Sequence, residues 1–103
     1  MSVLLNMAIF PTDKGASVSQ YVSRVIKMID ESGVSYQLNS MGTTIETQTM
    51  PEALTLVEKA YNLLKVDSTR IYCTITMDIK EAESGRMIKK VASIEKRIGH
   101  VNK

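Results

Sequence analysis

The strongest constraint on this chain is the stretch Arg70–Lys80, RIYCTITMDIK. Apolar Ile71, Cys73, Ile75, Met77 and Ile79 alternate there with Tyr72, Thr74, Thr76 and Asp78. A side-chain period of two, carried largely by β-branched residues, specifies an extended strand with one face turned to a core. At 3.6 residues per turn a helix would scatter the same apolar side chains around its cylinder. A long strand also needs a sheet, so the rest of the chain has to supply neighbouring strands and a cover for the apolar face.

The remaining patterns supply both. Residues 3–10, VLLNMAIF, form an apolar run closed by Pro11 and read as a buried strand. After the loop PTDKGA, Ser17 with Gln20 three residues on predicts a capping box that opens a helix. Val18, Tyr21, Val22, Val25 and Ile29 recur at helical spacing, and Gly33 is the expected left-handed stop. Val34, Tyr36 and Leu38 then alternate with Ser35, Gln37 and Asn39, and SMG at residues 40–42 joins this strand to a threonine-rich one, MGTTIET. Thr49 with Glu52 predicts a second capping box, with Pro51 tolerated in the first turn. Leu54, Val57, Ala60, Tyr61 and Leu64 form the expected stripe of that helix. Beyond the alternating strand and the loop EAESG, Met87, Val91, Ile94 and Ile98 mark a third helix.

The order is β-α-β-β-α-β followed by a helix, which predicts the split βαβ, ferredoxin-like arrangement. Right-handed crossovers put both main helices on one face of a four-stranded antiparallel sheet, with the first and third strands central. One such domain uses the whole chain, residues 1–103, and a 44% hydrophobic composition suffices for one modest core.

Composition narrows the function classes. No apolar run approaches the roughly 18 residues that span a bilayer. The start, MSVLLNMAIFP, lacks a basic segment and is interrupted by Asn6, so a folded first strand is expected rather than a signal peptide. One cysteine, Cys73, excludes an intrachain disulfide framework and fits a reducing cytoplasm. With a single His and a single Cys, no structural zinc site is expected. Residues 85–103 hold Arg86, Lys89, Lys90, Lys96, Arg97 and Lys103 against Glu95, six cations and one anion for a net +5. Cations late in a helix oppose its dipole favourably, so this tail reads as a solvated helix face rather than a nucleic-acid surface.

Alternation also assigns the sheet face that the two main helices leave uncovered. With Leu5, Met7 and Ile9 inward, Asn6, Ala8 and Phe10 point out. With Ile45 inward, Thr44 and Glu46 point out, and the fourth strand adds Tyr72, Thr74, Thr76 and Asp78. A one-residue slip would invert any of these. The face is poor in long charged side chains and rich in hydroxyls, which fits a subunit interface or a small-ligand pocket better than plain solvent exposure.

Catalytic motifs are lacking. Cys73 reads as an inert core thiol far from His100, and GASVSQ has the glycine spacing of neither phosphate-binding fingerprint. RNA readers of the same fold stack bases on central-strand aromatics, whereas GTTIET has none and the first strand offers only Phe10.

Three stretches, PTDKGASVSQYVSRVI, SGVSYQLNSMGTTIE and RIYCTITMDIK, together resemble the small thiamine-binding proteins of the YkoF-like group. Two positions depart from that pattern: Thr47 stands where glycine usually follows the glutamate, and Ile79 follows Asp78 where the group has paired acids. The resemblance implies a ferredoxin-like fold, sheet-mediated dimers or tetramers, non-enzymatic binding of thiamine or its pyrimidine part, and a pocket around Met41–Glu46. On that basis the expected ligand-binding residues are Asn6, Phe10, Met41, Gly42, Thr43, Thr44, Glu46 and Tyr72. Glu46 would meet the pyrimidine, Asn6, Thr43 and Thr44 would add hydrogen bonds, and Tyr72 or Phe10 would stack or make a cation–π contact. The alternative role for Glu46 is in a hydrogen-bond network between subunits. No catalytic residue, metal, cofactor, nucleic acid or membrane is expected, and the partner is a thiamine-like small molecule. The competing expectation is an oligomeric regulatory module that binds another small molecule or a protein.

Overall fold

Each periodicity settles into one element of the computed structural model, which describes all 103 residues. The elements are β1 (Ser2–Pro11), α1 (Ser19–Glu31), β2 (Ser35–Asn39), β3 (Gly42–Thr47), α2 (Met50–Lys65), β4 (Ile71–Lys80) and α3 (Arg86–Ile98). The strands form one antiparallel sheet in the order β2-β3-β1-β4, so β1 and β3 are central and the fold is ferredoxin-like with an added C-terminal helix.

The register fixes both faces. Leu5 lies opposite Ile45 on one side and Met77 on the other, and Asn6 lies opposite Thr44 and Thr76. Val3, Leu5, Met7 and Ile9 therefore share the inner face with Ile45, and α1 and α2 cover it with Val25, Ile29, Ala53, Leu56, Ala60 and Leu64. Burial of these side chains contributes roughly 1.5–3 kcal/mol for each large one. Gly33, at φ +82°, ends α1 as its sequence predicts, and its N–H donates to the Asp30 carbonyl.

Four expectations need correction. Helix α1 does not begin with a Ser17 capping box. Its N-cap is Val18, which supplies no side-chain bond but whose carbonyl accepts from the N–H groups of Tyr21 and Val22. Packing of Val25 and Ile29 against the sheet sets this helix, and a cap is too weak to move its start. The Thr49–Glu52 cap does form, with the Glu52 N–H donating to the Thr49 hydroxyl.

Helix α2 is rotated from its expected stripe. Ala53, Leu56, Ala60 and Leu64 are buried, whereas Leu54 and Tyr61 are about half exposed. Ala53 and Ala60 are buried in the core, where a small side chain permits a close approach of the helix to its neighbours.

Cys73 faces the helix side, opposite Ile9, yet it is exposed. Strand β4 is an edge, and α1 and α2 sit over the sheet centre, which also leaves Ile75 and Ile79 partly exposed. Finally, the outer face is not uniformly open. The start of α3 covers its Ser2–Leu4–Glu46 end, and Ile88, Ile94 and Ile98 further along this helix stay exposed.

Candidate functional site

Strand lengths create the candidate site. Strands β1 and β4 pair from Ser2↔Lys80 to Pro11↔Ile71, but β3 pairs with β1 only from Val3↔Thr47 to Met7↔Thr43. The last stretch of β1 therefore has a strand on one side and a notch on the other. Helix α1 roofs this notch, and β2 with the tight turn into β3 closes its flank. The result is a cleft of about 940 Å³.

Its walls are mainly apolar. Val18, Val22 and Ile26 come from α1, Met7 and Ile9 from β1, and Leu38 from β2. Polar side chains also line it, Asn39, Ser40 and Thr43 among them. Ser19 and Ser23 lie on α1, and Asp30 lies with Tyr36 where α1 passes β2. The Tyr36 hydroxyl donates to Asp30 Oδ1 at 2.7 Å. That bond, made by the neutral phenol, holds the Tyr36 pKa above its ordinary value. Lys27 is the one cation in the lining, and it also lies 3.9 Å from Glu31.

The residues selected from sequence divide into three places. Phe10, Met41, Gly42 and Thr43 line the cleft. Gly42 is there for space, since a Cβ at that position would stand 3.0 Å from the Met7 carbonyl oxygen. Asn6, Thr44 and Tyr72 belong to the outer face, where the Thr44 hydroxyl donates to Asn6 Oδ1 at 3.2 Å and the Tyr72 ring lies 5.8 Å from that of Phe10.

Glu46 is in neither group. It is 6% exposed beneath the start of α3. Its Oε2 accepts from the Ser2 hydroxyl at 2.7 Å and from the N–H groups of Gly85 and Arg86 at 2.9 and 3.1 Å. Oε1 accepts from the Met87 N–H at 3.3 Å. The α3 N-cap, Gly85, has no side chain, so Glu46 caps the helix from a different strand, where a negative charge also meets the positive end of the dipole. Burial alone would raise its carboxyl pKa, but these hydrogen bonds outweigh burial and hold it below the ordinary value. Arg86 completes the joint. Its guanidinium donates to Ser2 Oγ, to the carbonyls of Ser2 and Asp78, and to Asp78 Oδ2 at 3.0 Å.

Sequence reasoning missed Val22, Ile26, Asp30, Tyr36 and Leu38 as cleft residues. Each has ordinary helix or strand periodicity, and only the difference in length between β1 and β3 reveals the space they enclose. That difference is written in the sequence, since GTTIET is much shorter than the β1 run, but pairing is needed to interpret it.

The likeness of the chain to known proteins agrees with this architecture. A UPF0045 protein of Mycobacterium bovis is 29% identical over 96 residues, which cover 93% of this chain and 94% of that protein. The solved structure of a hypothetical protein from Methanocaldococcus jannaschii superimposes with a TM-score of 0.80 at 27% identity, covering 90% of this chain and 95% of the other. A Thermotoga maritima structure described as a putative thiamine biosynthesis/salvage protein matches with a TM-score of 0.73 at 18% identity, over 87% of this chain and 98% of that one, and supports the fold. The model of one family, described as thiamine-binding protein, matches residues 5–95, from the middle of β1 to well inside α3, and the chain belongs to that family.

Proposed function

We propose that this protein binds thiamine or its pyrimidine portion, without catalysis, in the cleft between α1 and the notch of the sheet. The observation that carries this reading is the cleft itself. Its volume of about 940 Å³ falls in the range of small-molecule sites, and mainly apolar walls with polar groups among them suit an aromatic ligand. Phe10, Met41, Gly42 and Thr43 are among its lining residues, and Asp30 offers a carboxylate to a permanently cationic thiazolium. Family membership supports the ligand class.

We also propose that the protein acts as a homo-oligomer in the cytoplasm. The unpaired edge of β4 and the exposed Tyr72, Ile75, Ile79, Ile94 and Ile98 offer backbone and apolar side chains that assembly would cover. Asn6, Thr44 and Tyr72, on the open part of the outer face, then serve assembly.

Titration calorimetry with thiamine, and separately with its pyrimidine and thiazole fragments, tests the binding reading. Val22→Trp puts an indole into the roof of the cleft and is expected to abolish binding while the fold persists by circular dichroism. Full binding by a folded Val22→Trp variant would place the ligand elsewhere.

A further inference from the structure

The notch carries one unused main-chain hydrogen-bonding pair, and its position follows from the ladder. The Thr12 N–H donates to the Arg70 carbonyl at 2.9 Å, continuing the β1–β4 register one residue beyond Pro11↔Ile71. Successive residues of a strand aim their N–H and C=O groups to opposite sides. The register is unbroken from Ser2 to Pro11, so the even-numbered residues of β1 aim at β4 and the odd-numbered ones aim at β3. Val3, Leu5 and Met7 find β3 there, ending with Met7↔Thr43. The next odd residue is Ile9. No strand residue stands opposite it on that side, and no turn or side-chain group bonds to it. Ile9 is a core residue that also lines the cleft, and ladder parity aims its N–H and C=O at the side where β3 is missing.

A main-chain donor and acceptor that face a cleft without a protein partner are free to pair with a ligand. The next residue aimed the same way is Pro11, which has no N–H. A peptide strand added here would therefore find one complete residue to pair with and no ladder beyond it. A single planar molecule with an adjacent donor and acceptor fits the opening better.

We propose that Ile9 reads the ligand through its main chain, its C=O accepting from an exocyclic amino group and its N–H donating to the neighbouring ring nitrogen of a cyclic amidine. The ring then lies in the plane of the sheet, continuing it where β3 stops, with Val18, Val22 and Ile26 of α1 above it. This class covers 4-aminopyrimidines and 6-aminopurines. It excludes the 4-oxo analogues in the same orientation, because their ring N–H and carbonyl reverse the order of donor and acceptor. The assignment rests on the cleft being the ligand site and adds the atoms that would select the ring.

Amide hydrogen exchange followed by NMR on the full chain tests it, with 4-amino-5-hydroxymethyl-2-methylpyrimidine and its 4-oxo counterpart as probes. In the free protein the Ile9 amide should exchange faster than those of Ala8 and Phe10, which β4 protects. The amino probe should slow Ile9 exchange at least tenfold, and the oxo probe should bind about tenfold or more weakly. Shifts at Val22 and Tyr36 with unchanged Ile9 exchange would overturn the main-chain assignment and leave the cleft as the site. Tight binding of both probes alike would overturn it equally. No shift at Val22 or Tyr36 with either probe would overturn the cleft reading itself.

Discussion

Glu46→Gln separates a structural carboxylate from a ligand-binding one. The amide keeps the size of the side chain and one good acceptor. With its oxygen in the Oε2 position it retains Ser2, Gly85 and Arg86, and its NH2 then opposes the Met87 N–H, donor against donor. The remaining bonds lose their charge assistance, and the helix dipole loses its counter-charge. A charge-assisted bond is worth about 1.5–3 kcal/mol against about 0.5–1.5 for a neutral one, and these losses overlap, so about 2–3 kcal/mol is expected in all. The loss should fall on the docking of α3 rather than on the global fold, because α3 lies at the end of the chain and outside the main core. Hydrogen exchange of the first α3 amides should then accelerate roughly 30- to 150-fold, at about tenfold per 1.4 kcal/mol, with little change in the β1 core amides.

The sign of the pH dependence gives an internal control. Hydrogen bonding holds the folded-state pKa of Glu46 below its unfolded value, so its contribution is present above the ordinary carboxylate range. It fades as pH falls through the depressed folded value, and the difference between wild type and Glu46→Gln should shrink in strong acid. Thiamine affinity of the variant should stay within about twofold, since Glu46 does not line the cleft. Unchanged α3 exchange together with a tenfold loss of thiamine affinity would refute this reasoning and return Glu46 to the ligand site.

Two further outcomes are expected. Gly42→Ala puts a methyl group 3.0 Å from the Met7 carbonyl oxygen, next to the Asn6 side chain, so β1 and β3 must part locally. Overpacking of this kind costs about 1–3 kcal/mol, to be read by denaturant melting, and an unaltered midpoint would contradict the close approach. Light scattering at micromolar concentration should give a mass at least twice the 11.5 kDa of the chain. Cys73→Pro removes an N–H that ladder parity aims outward, so it spares the β1–β4 ladder and should lower that mass only if assembly uses the outer edge of β4. A mass unaffected by folded Cys73→Pro would exclude edge-to-edge pairing.

Much of the fold was legible because its signals are local. A period of two in Ile71–Ile79 and a helical period in Val18–Ile29 depend only on which side chains share a face. Their order then leaves few ways to stack helices on a sheet. The face assignments of Leu5, Asn6, Ile45, Thr44 and Glu46 followed from the same rule, and the observed register agrees with them. What sequence left undecided depends on lengths and on elements that meet from afar. Cys73 alternates like a core residue but lies on an edge strand and stays exposed. Glu46 points outward as the alternation requires, yet its partners come from Gly85–Met87, about 40 residues on, and no local pattern announces that a helix will dock there. The cleft exists because β3 ends at Gly42 while β1 continues to Pro11. Sequence determined the faces, since side-chain direction is a property of each strand, and tertiary structure decided what each face meets, since that depends on where separate elements stop.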